Sequence, residues 1–414
     1  MTYHPTPNAR EVRPHIIVLL GPAFVAAIAY VDPGNVAANL SAGAEFGYLL
    51  VWVLVLANAM AAVVQYLSAK LGLVTGQSLP ELIGDRLPKV PRLLFWAQGE
   101  IVAAATDLAE VIGGAVALQI LFGVPLLLGG VITGAASLLI LAVQSTRGQL
   151  AFERVVMGFL FIITVGFVAG LFFSPLDPGA MMRGLVPRFE GSRSVLLTAG
   201  MLGATVMPHA IYLHSALERD RHGVVRDPRR KSRLLRAAKL DVSLALVVAG
   251  GVNIAMLLMA AASLPGVTGT DTLEGAAAAI STHLGAGIGV LFGVGLLASG
   301  LASTSVGTYA GDNIMFGLLH ARIPLLLRRA ITIIPALLVL ALGSNPTFAL
   351  VLSQVVLSVG IPFALIPLAW LTSRRSVMGS YANRPLLRAL AATITVAIVA
   401  LNVLLIWLVA TGQN

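Results

Sequence analysis

Apolar residues run through this chain in long blocks interrupted by a few polar positions. Blocks long enough to span a bilayer centre near residues 27, 58, 108, 136, 163, 206, 250, 299, 335, 359 and 399. Eleven segments of about 20 residues would use roughly 220 residues and leave short connections, with no room for a soluble domain. In hydrocarbon a segment must satisfy its own backbone polar groups, so the pattern predicts an all-α polytopic membrane protein of eleven transmembrane helices. Two blocks violate it: the first contains Tyr30-Val31-Asp32-Pro33-Gly34-Asn35, and the sixth contains Ala204-Thr205-Val206-Met207-Pro208-His209. Each proline deletes a backbone donor, so both helices should break and leave carbonyls unpaired at bilayer depth.

Five segments separate one broken helix from the other. An odd number means that a tandem five-span unit inserts with opposite orientation, the inverted-repeat logic of secondary transporters whose site lies between discontinuous helices. The expected organisation is residues 1–175 as a first repeat, 190–372 as a second inverted repeat, and 373–414 as an eleventh helix outside both, all within one membrane domain.

Composition agrees with this class: the 414 residues are 57% hydrophobic and only 11% charged, with a mean hydropathy of +0.91. Soluble domains carry about a quarter charged residues. The absence of cysteine excludes disulfides and thiolate metal sites. The net charge of +9 is distributed as the positive-inside rule requires, since alternate connections hold twenty-four of the 27 Lys and Arg. The opposite connections hold only Arg183, Arg188 and Arg193. The N-terminus is therefore expected in the cytoplasm and the C-terminus outside, in the inner (plasma) membrane. The most basic stretch, Arg219 to Lys239, reads as a solvated cytoplasmic loop that fixes topology, in preference to a nucleic-acid or lipid-headgroup patch. Arg10 and Arg13 ahead of an apolar run ending in Ala27-Ile28-Ala29 imitate a cleaved secretory leader. The many apolar segments that follow argue against cleavage, which would discard half of the first break.

The chemistry at the two breaks is that of a cation site. Asp32 supplies a hard anionic oxygen, Asn35 an amide oxygen one turn later, and the broken backbone near Ala29 and Ala204 offers carbonyls. Met207 adds a thioether, which has little affinity for magnesium or calcium but is tolerated by manganese, iron, cobalt and cadmium. Met in a helix is ordinarily core filler, and Asp-Pro-Gly is ordinarily a surface turn, as Asp177-Pro178-Gly179 should be. Asp32 differs by lying inside a span, where an ionisable group is costly and points to function.

A second polar set lies on the third span. Asp107 and Glu110 share a helix face, with Glu100 about two turns earlier. With His209 and His214 of the sixth span they could pass protons along a wetted path, or they could be ion-pair partners for Arg328 and Arg329. The two readings are compatible, because a proton path can end in an ion pair. His283 falls in an external connection with no such company.

Asp32-Pro-Gly-Asn35, Met207-Pro-His209, the Thr-Asp-Leu-Ala-Glu run ending at Glu110, and Ser353-Gln354-Val355-Val356-Leu357-Ser358 together resemble the Nramp family of proton-coupled divalent-metal transporters, its bacterial manganese-transporting branch above all. The likeness spans essentially the whole chain. It implies a LeuT-like fold and import of manganese or ferrous iron, with cadmium and cobalt accepted, driven by proton entry. It implies no cofactor beyond the transported ions, no nucleic-acid partner, and a monomer sufficient for transport in the lipid bilayer. The implied metal ligands are Asp32, Asn35 and Met207 with the Ala29 or Ala204 carbonyl and, in some states, Gln354. The implied proton route is Asp32, His209, Asp107 and Glu110, leading toward Arg328 and Arg329, with an electrostatic role for Glu100. Four positions depart from the family pattern: Ala210 and Leu301 stand where Asn and Gln are usual, and Asp312 and Phe316 replace an expected Gln and Glu.

Two other transporter classes compete. A sodium-coupled organic solute symporter of the same fold needs a free helix N-terminus for a substrate carboxylate, which Asp32 would repel. A magnesium transporter of an Nramp-related branch should lack the thioether of Met207. No His-Glu-x-x-His or Gly-x-Ser-x-Gly motif points to an enzyme.

Overall fold

The computed structural model describes residues 19–270, 272–321 and 323–411, which are helical almost throughout, with no strand among them. Arg10, Arg13 and Arg322, which enter the topology and leader arguments, lie outside the described residues.

The first apolar block is not one helix. Helix α1 (Pro22–Ala27) passes into a 3-10 turn at Ile28–Val31, the backbone extends at Asp32 (φ −70, ψ 166), and α2 (Pro33–Phe46) starts afresh with Pro33 in its first position. Proline is at home there because that N–H has no intrahelical partner anyway. Helix α3 (Val51–Thr75) ends on left-handed Gly76 (φ 69), and the short α4 (Leu79–Gly84) opens with a reciprocal Ser78–Glu81 capping box. Then come α5 (Lys89–Phe122), α6 (Leu126–Arg147), α7 (Gln149–Val168) and the short, exposed α8 (Pro178–Arg183).

The sixth block breaks by the same construction as the first. Helix α9 (Gly191–Thr205) ends, Met207 is extended (φ −64, ψ 128), and α10 (Pro208–His222) begins on Pro208. The remainder is α11 (Pro228–Ser263), α12 (Leu273–Leu284), α13 (Ala286–Leu319), α14 (Leu325–Ala341), α15 (Pro346–Ser373), α16 (Arg375–Met378) and α17 (Pro385–Ala410).

Every predicted centre falls on one of these helices or, at 206, on the predicted break. Length and apolarity alone identify eight spans among the described residues. Pro33–Thr75 counts there as one 43-residue stretch, and Pro22–Val31 and Leu126–Ile140 are shorter apolar helices. Helix α14 has only 17 residues and carries two arginines. The number eleven thus exceeds what length and composition deliver.

Several connections are shorter than expected. The basic stretch read as a loop from Arg219 to Lys239 is mostly helix, because Asp227 caps α11 through the Arg229 and Arg230 amides and Pro228 starts it. His283 lies exposed in α12 instead of in a loop, and Asp177 is an exposed cap of α8 instead of a turn.

Polar side chains such as Asn35, Asn39, Gln65 and Asn253 are buried, while Leu139, Phe161 and Val247 on the periphery are exposed. This inside-out distribution suits a surface covered by hydrocarbon. Helix α5 packs along α13, α2 against α11, and α9 against α15. Two glycines permit close approaches near the breaks: any side chain at Gly113 of α5 would overlap the Pro33 ring, and one at Gly203 would strike the Gln354 carbonyl. The start of α1 is held from α11, where Asp241 accepts from the Gly21 amide (3.0 and 3.1 Å) and the Ala23 amide (2.9 Å).

Candidate metal centre

Asp32 ends the 3-10 turn with its carboxylate turned back over the start of α2. Its Oδ1 accepts from the Asn35 amide (2.9 Å) and from Asn35 Nδ2 (3.0 Å). Asn35 Nδ2 also donates to the Ala204 carbonyl (2.7 Å), which ties the first break to the second. From α15, Gln354 Nε2 donates to Asp32 Oδ2 and to Ser353 Oγ, both at 3.3 Å. Asp32, Asn35, Ala204 and Gln354 are therefore one bonded group, and all four are buried.

The donors of both amides are spent, which fixes their orientation and leaves their oxygens over. Asn35 Oδ1 and Gln354 Oε1 are buried with no hydrogen-bond partner. Other buried amide oxygens, such as those of Asn39 and Gln98, also lack a donor, but these two lie beside one carboxylate, a donor set open to a cation. Met207 and Ala29 are placed by the backbone alone. Met207 is fully buried in the extended residue of the second break, and Ala29 is buried in the 3-10 turn of the first. Among the described residues no group of three or more His, Cys, Asp and Glu could hold a metal ion. Any cation held here would thus rely on one carboxylate with amide, carbonyl and thioether donors.

The unwound turn has its own supports. Asn253 Nδ2 donates to the Tyr30 carbonyl (2.7 Å) and Ser299 Oγ to the Val31 carbonyl (2.6 Å), while Asn39 Nδ2 bonds Asn253 Oδ1 (2.9 Å). These answer the question of where the broken backbone finds partners. Sequence reasoning missed Asn253 and Ser299, although a lone amide inside an apolar helix was a usable signal.

The second polar set splits in two. The Thr106 hydroxyl donates to the Val102 carbonyl (3.0 Å) and so accepts from His209 Nδ1 (3.2 Å), which brings His209 onto α5. Asp107 pairs with Arg329 (2.5 Å), whose guanidinium also reaches Ser137, Thr304 and, at 3.9 Å, Glu110. Glu100 accepts from Arg328 at 3.1 Å on both oxygens. Both oxygens of fully buried Glu110 lack a hydrogen-bond partner. His214 stands apart from this set. Its Nδ1 donates to Gln65 Oε1 (2.7 Å), Gln65 donates to the Tyr30 hydroxyl, and His214 Nε2 faces Glu218 at 3.7 Å. Of the departing positions, Ala210 is buried on α10, and Leu301, Asp312 and Phe316 are half-buried on α13.

The family profile described as Nramp, natural resistance-associated macrophage protein-like, matches residues 23–408. The chain belongs to the Nramp family. Among its Nramp relatives is the divalent metal cation transporter MntH of Mycobacterium tuberculosis, 60% identical over 394 residues, with 95% of this chain and 92% of that protein covered. MntH of Bacillus subtilis is 49% identical over 393 residues, covering 94% and 92%. Among solved structures, the Eremococcus coleocola manganese transporter in complex with an aromatic bis-isothiourea substituted compound superposes with a TM-score of 0.86 at 29% identity, over 96% of this chain and 88% of that one. A nucleobase-cation-symport-1 family transporter, Mhp1, shares the fold alone, with a TM-score of 0.56 at 16% identity over 95% and 94%. The polytopic helical fold is thus that of the Nramp transporters and of the wider LeuT-like class.

Proposed function

We propose that the chain imports divalent transition-metal ions, manganese and ferrous iron first, coupled to proton entry by alternating access. The observation that carries this reading is the pair of orphaned amide oxygens of Asn35 and Gln354 beside the Asp32 carboxylate. The names of the relatives, divalent metal cation transporter and manganese transporter, support the same substrate class. Asp32, Asn35 and Met207, with the Ala29 or Ala204 carbonyl and Gln354, would replace the water of a hydrated dication. The sulfur of Met207 would disfavour magnesium and calcium, which hold water more readily than a thioether. Asp32, His209, Asp107 and Glu110 would carry the proton, with Arg329 balancing charge on the buried carboxylates and Arg328 on Glu100.

We assign residues 1–175 and 190–372 to the two five-helix halves and 373–414 to a helix outside them. The basic connections would lie in the cytoplasm of a cell whose plasma membrane holds the protein, with one copy sufficient for transport. Metal uptake into proteoliposomes loaded with a pH-sensitive dye tests substrate and coupling together. The expected result is manganese entry with acidification, unaffected by a large excess of magnesium. Manganese entry without acidification would overturn the coupling, and block by millimolar magnesium would overturn the transition-metal assignment.

A further inference from the structure

Two basic stretches far apart in the sequence meet on one face of the molecule. The Tyr381 hydroxyl lies 3.5 Å from the Pro228 carbonyl oxygen, and its ring centroid lies 5.5 Å from the Lys231 ammonium. Lys231 also donates to the Val74 carbonyl near the end of α3 (3.0 Å), and Lys70 on the same helix donates to Asn383 Oδ1 (2.8 Å). The start of α11, the end of α3 and the segment carrying α16 into α17 are thus one continuous surface.

That surface has almost no negative charge to balance it. Arg229, Arg230 and Arg236 on one side and Arg375, Arg384 and Arg388 on the other are exposed. No Asp or Glu follows Asp312 in the chain. Asp227, the one acidic residue between Asp220 and Asp241, turns its oxygens to the amides of Arg229 (3.1 Å) and Arg230 (2.9 Å). Lys70, itself 7% exposed, has an amide oxygen for its partner where a carboxylate would be usual.

An apolar wall continues directly from this charged rim. Ile366, Trp370, Leu386 and Leu390 are exposed, and the Arg374 guanidinium lies 4.8 Å from the centre of the Trp370 ring. A tryptophan at the edge of a lipid-facing surface, with arginines just beyond it, marks the level of the headgroups. The α11 arginines alone would do no more than set topology. The second basic stretch and the apolar wall together call for a ligand with a phosphate and acyl chains, whereas a nucleic acid or an acidic peptide would leave the wall bare.

We propose that this surface binds an anionic phospholipid of the adjacent leaflet, its phosphate between the first turns of α11 and the α16–α17 segment and its chains along Trp370 and Leu386. The site is independent of the metal centre. It is tested by native mass spectrometry of the full-length protein released from nanodiscs of mixed phosphatidylglycerol and phosphatidylcholine. Wild type should retain phosphatidylglycerol over phosphatidylcholine by about tenfold or more, and the triple variant R375Q/R384Q/R388Q should fall to within about twofold of parity. The control R183Q/R188Q, in the oppositely placed connection, should match wild type. If the triple variant does not fold, R229Q/R230Q across the surface makes the same test. Equal retention of the two lipids by wild type, or an equal loss in the control, would overturn the proposal. So would displacement of phosphatidylglycerol by millimolar inorganic phosphate or by a short oligonucleotide, which would make this a site for soluble anions or nucleic acid.

Discussion

At the scale of single residues, the proposed metal centre would depend on one formal charge, that of Asp32. Asp32→Ala would leave a dication facing neutral donors in a low-dielectric enclosure, so manganese uptake should fall by about 100-fold or more. Near-normal uptake by that variant would sink the site. Asn35→Ala is expected to cost about tenfold, since water can replace a neutral oxygen. Met207→Ala should alter ratios more than rates: measurable manganese transport persists, cadmium preference drops by about tenfold, and magnesium or calcium begins to compete. Unchanged metal ratios in competition assays would return Met207 to core packing. These residues were legible in the sequence because a proline inside an apolar run is a visible anomaly and an aspartate beside it a costly one. Tyr30, Gln65 and His214 were not legible as a group, since their contacts depend on how helices distant in sequence are rotated against each other.

At the scale of elements, α5 and α14 are joined by charges that the bilayer cannot solvate. Asp107→Asn would leave the Arg329 guanidinium buried with Glu110 at 3.9 Å as its nearest carboxylate. Breaking such a pair from one side costs about 3–5 kcal/mol, which thermal unfolding in detergent should register. Glu110→Gln removes a carboxyl group that makes no hydrogen bond, so stability should change by no more than about 1 kcal/mol and metal binding should persist. Acidification per metal transported should nevertheless fall in the same dye assay. Equal acidification in wild type and variant would make Glu110 a structural charge only. The helices themselves were readable from apolar periodicity. Their ends were not: Asp227 and Pro228 start α11 inside a stretch that composition alone presents as a solvated loop. The cap is a local hydrogen bond that outweighs the charge density around it.

At the scale of the whole molecule, topology can be tested because the chain has no cysteine to remove. Ser376→Cys and Ser232→Cys, both at exposed positions on the basic face, should react with a membrane-impermeant maleimide only after the cells are opened. Glu190→Cys, exposed in the opposite connection, should react in intact cells. Labelling in the reverse order would invert the molecule and, with it, the direction of transport.

The bond from Gln354 to Asp32 would tie the filling of the proposed centre to a third helix. Gln354 Nε2 rests on Oδ2, the Asp32 oxygen that Asn35 leaves free, while Gln354 Oε1 points at nothing. A cation held as proposed on Oδ2 would repel the amide hydrogens there and attract the idle oxygen, so the amide would turn over or withdraw. Gln354 belongs to α15, whose backbone touches Gly203 of the other broken helix with no side chain between. In that reading one bound ion would become a rotation on a third helix, with the bond from Gln354 to Asp32 as a latch that the ion itself would release.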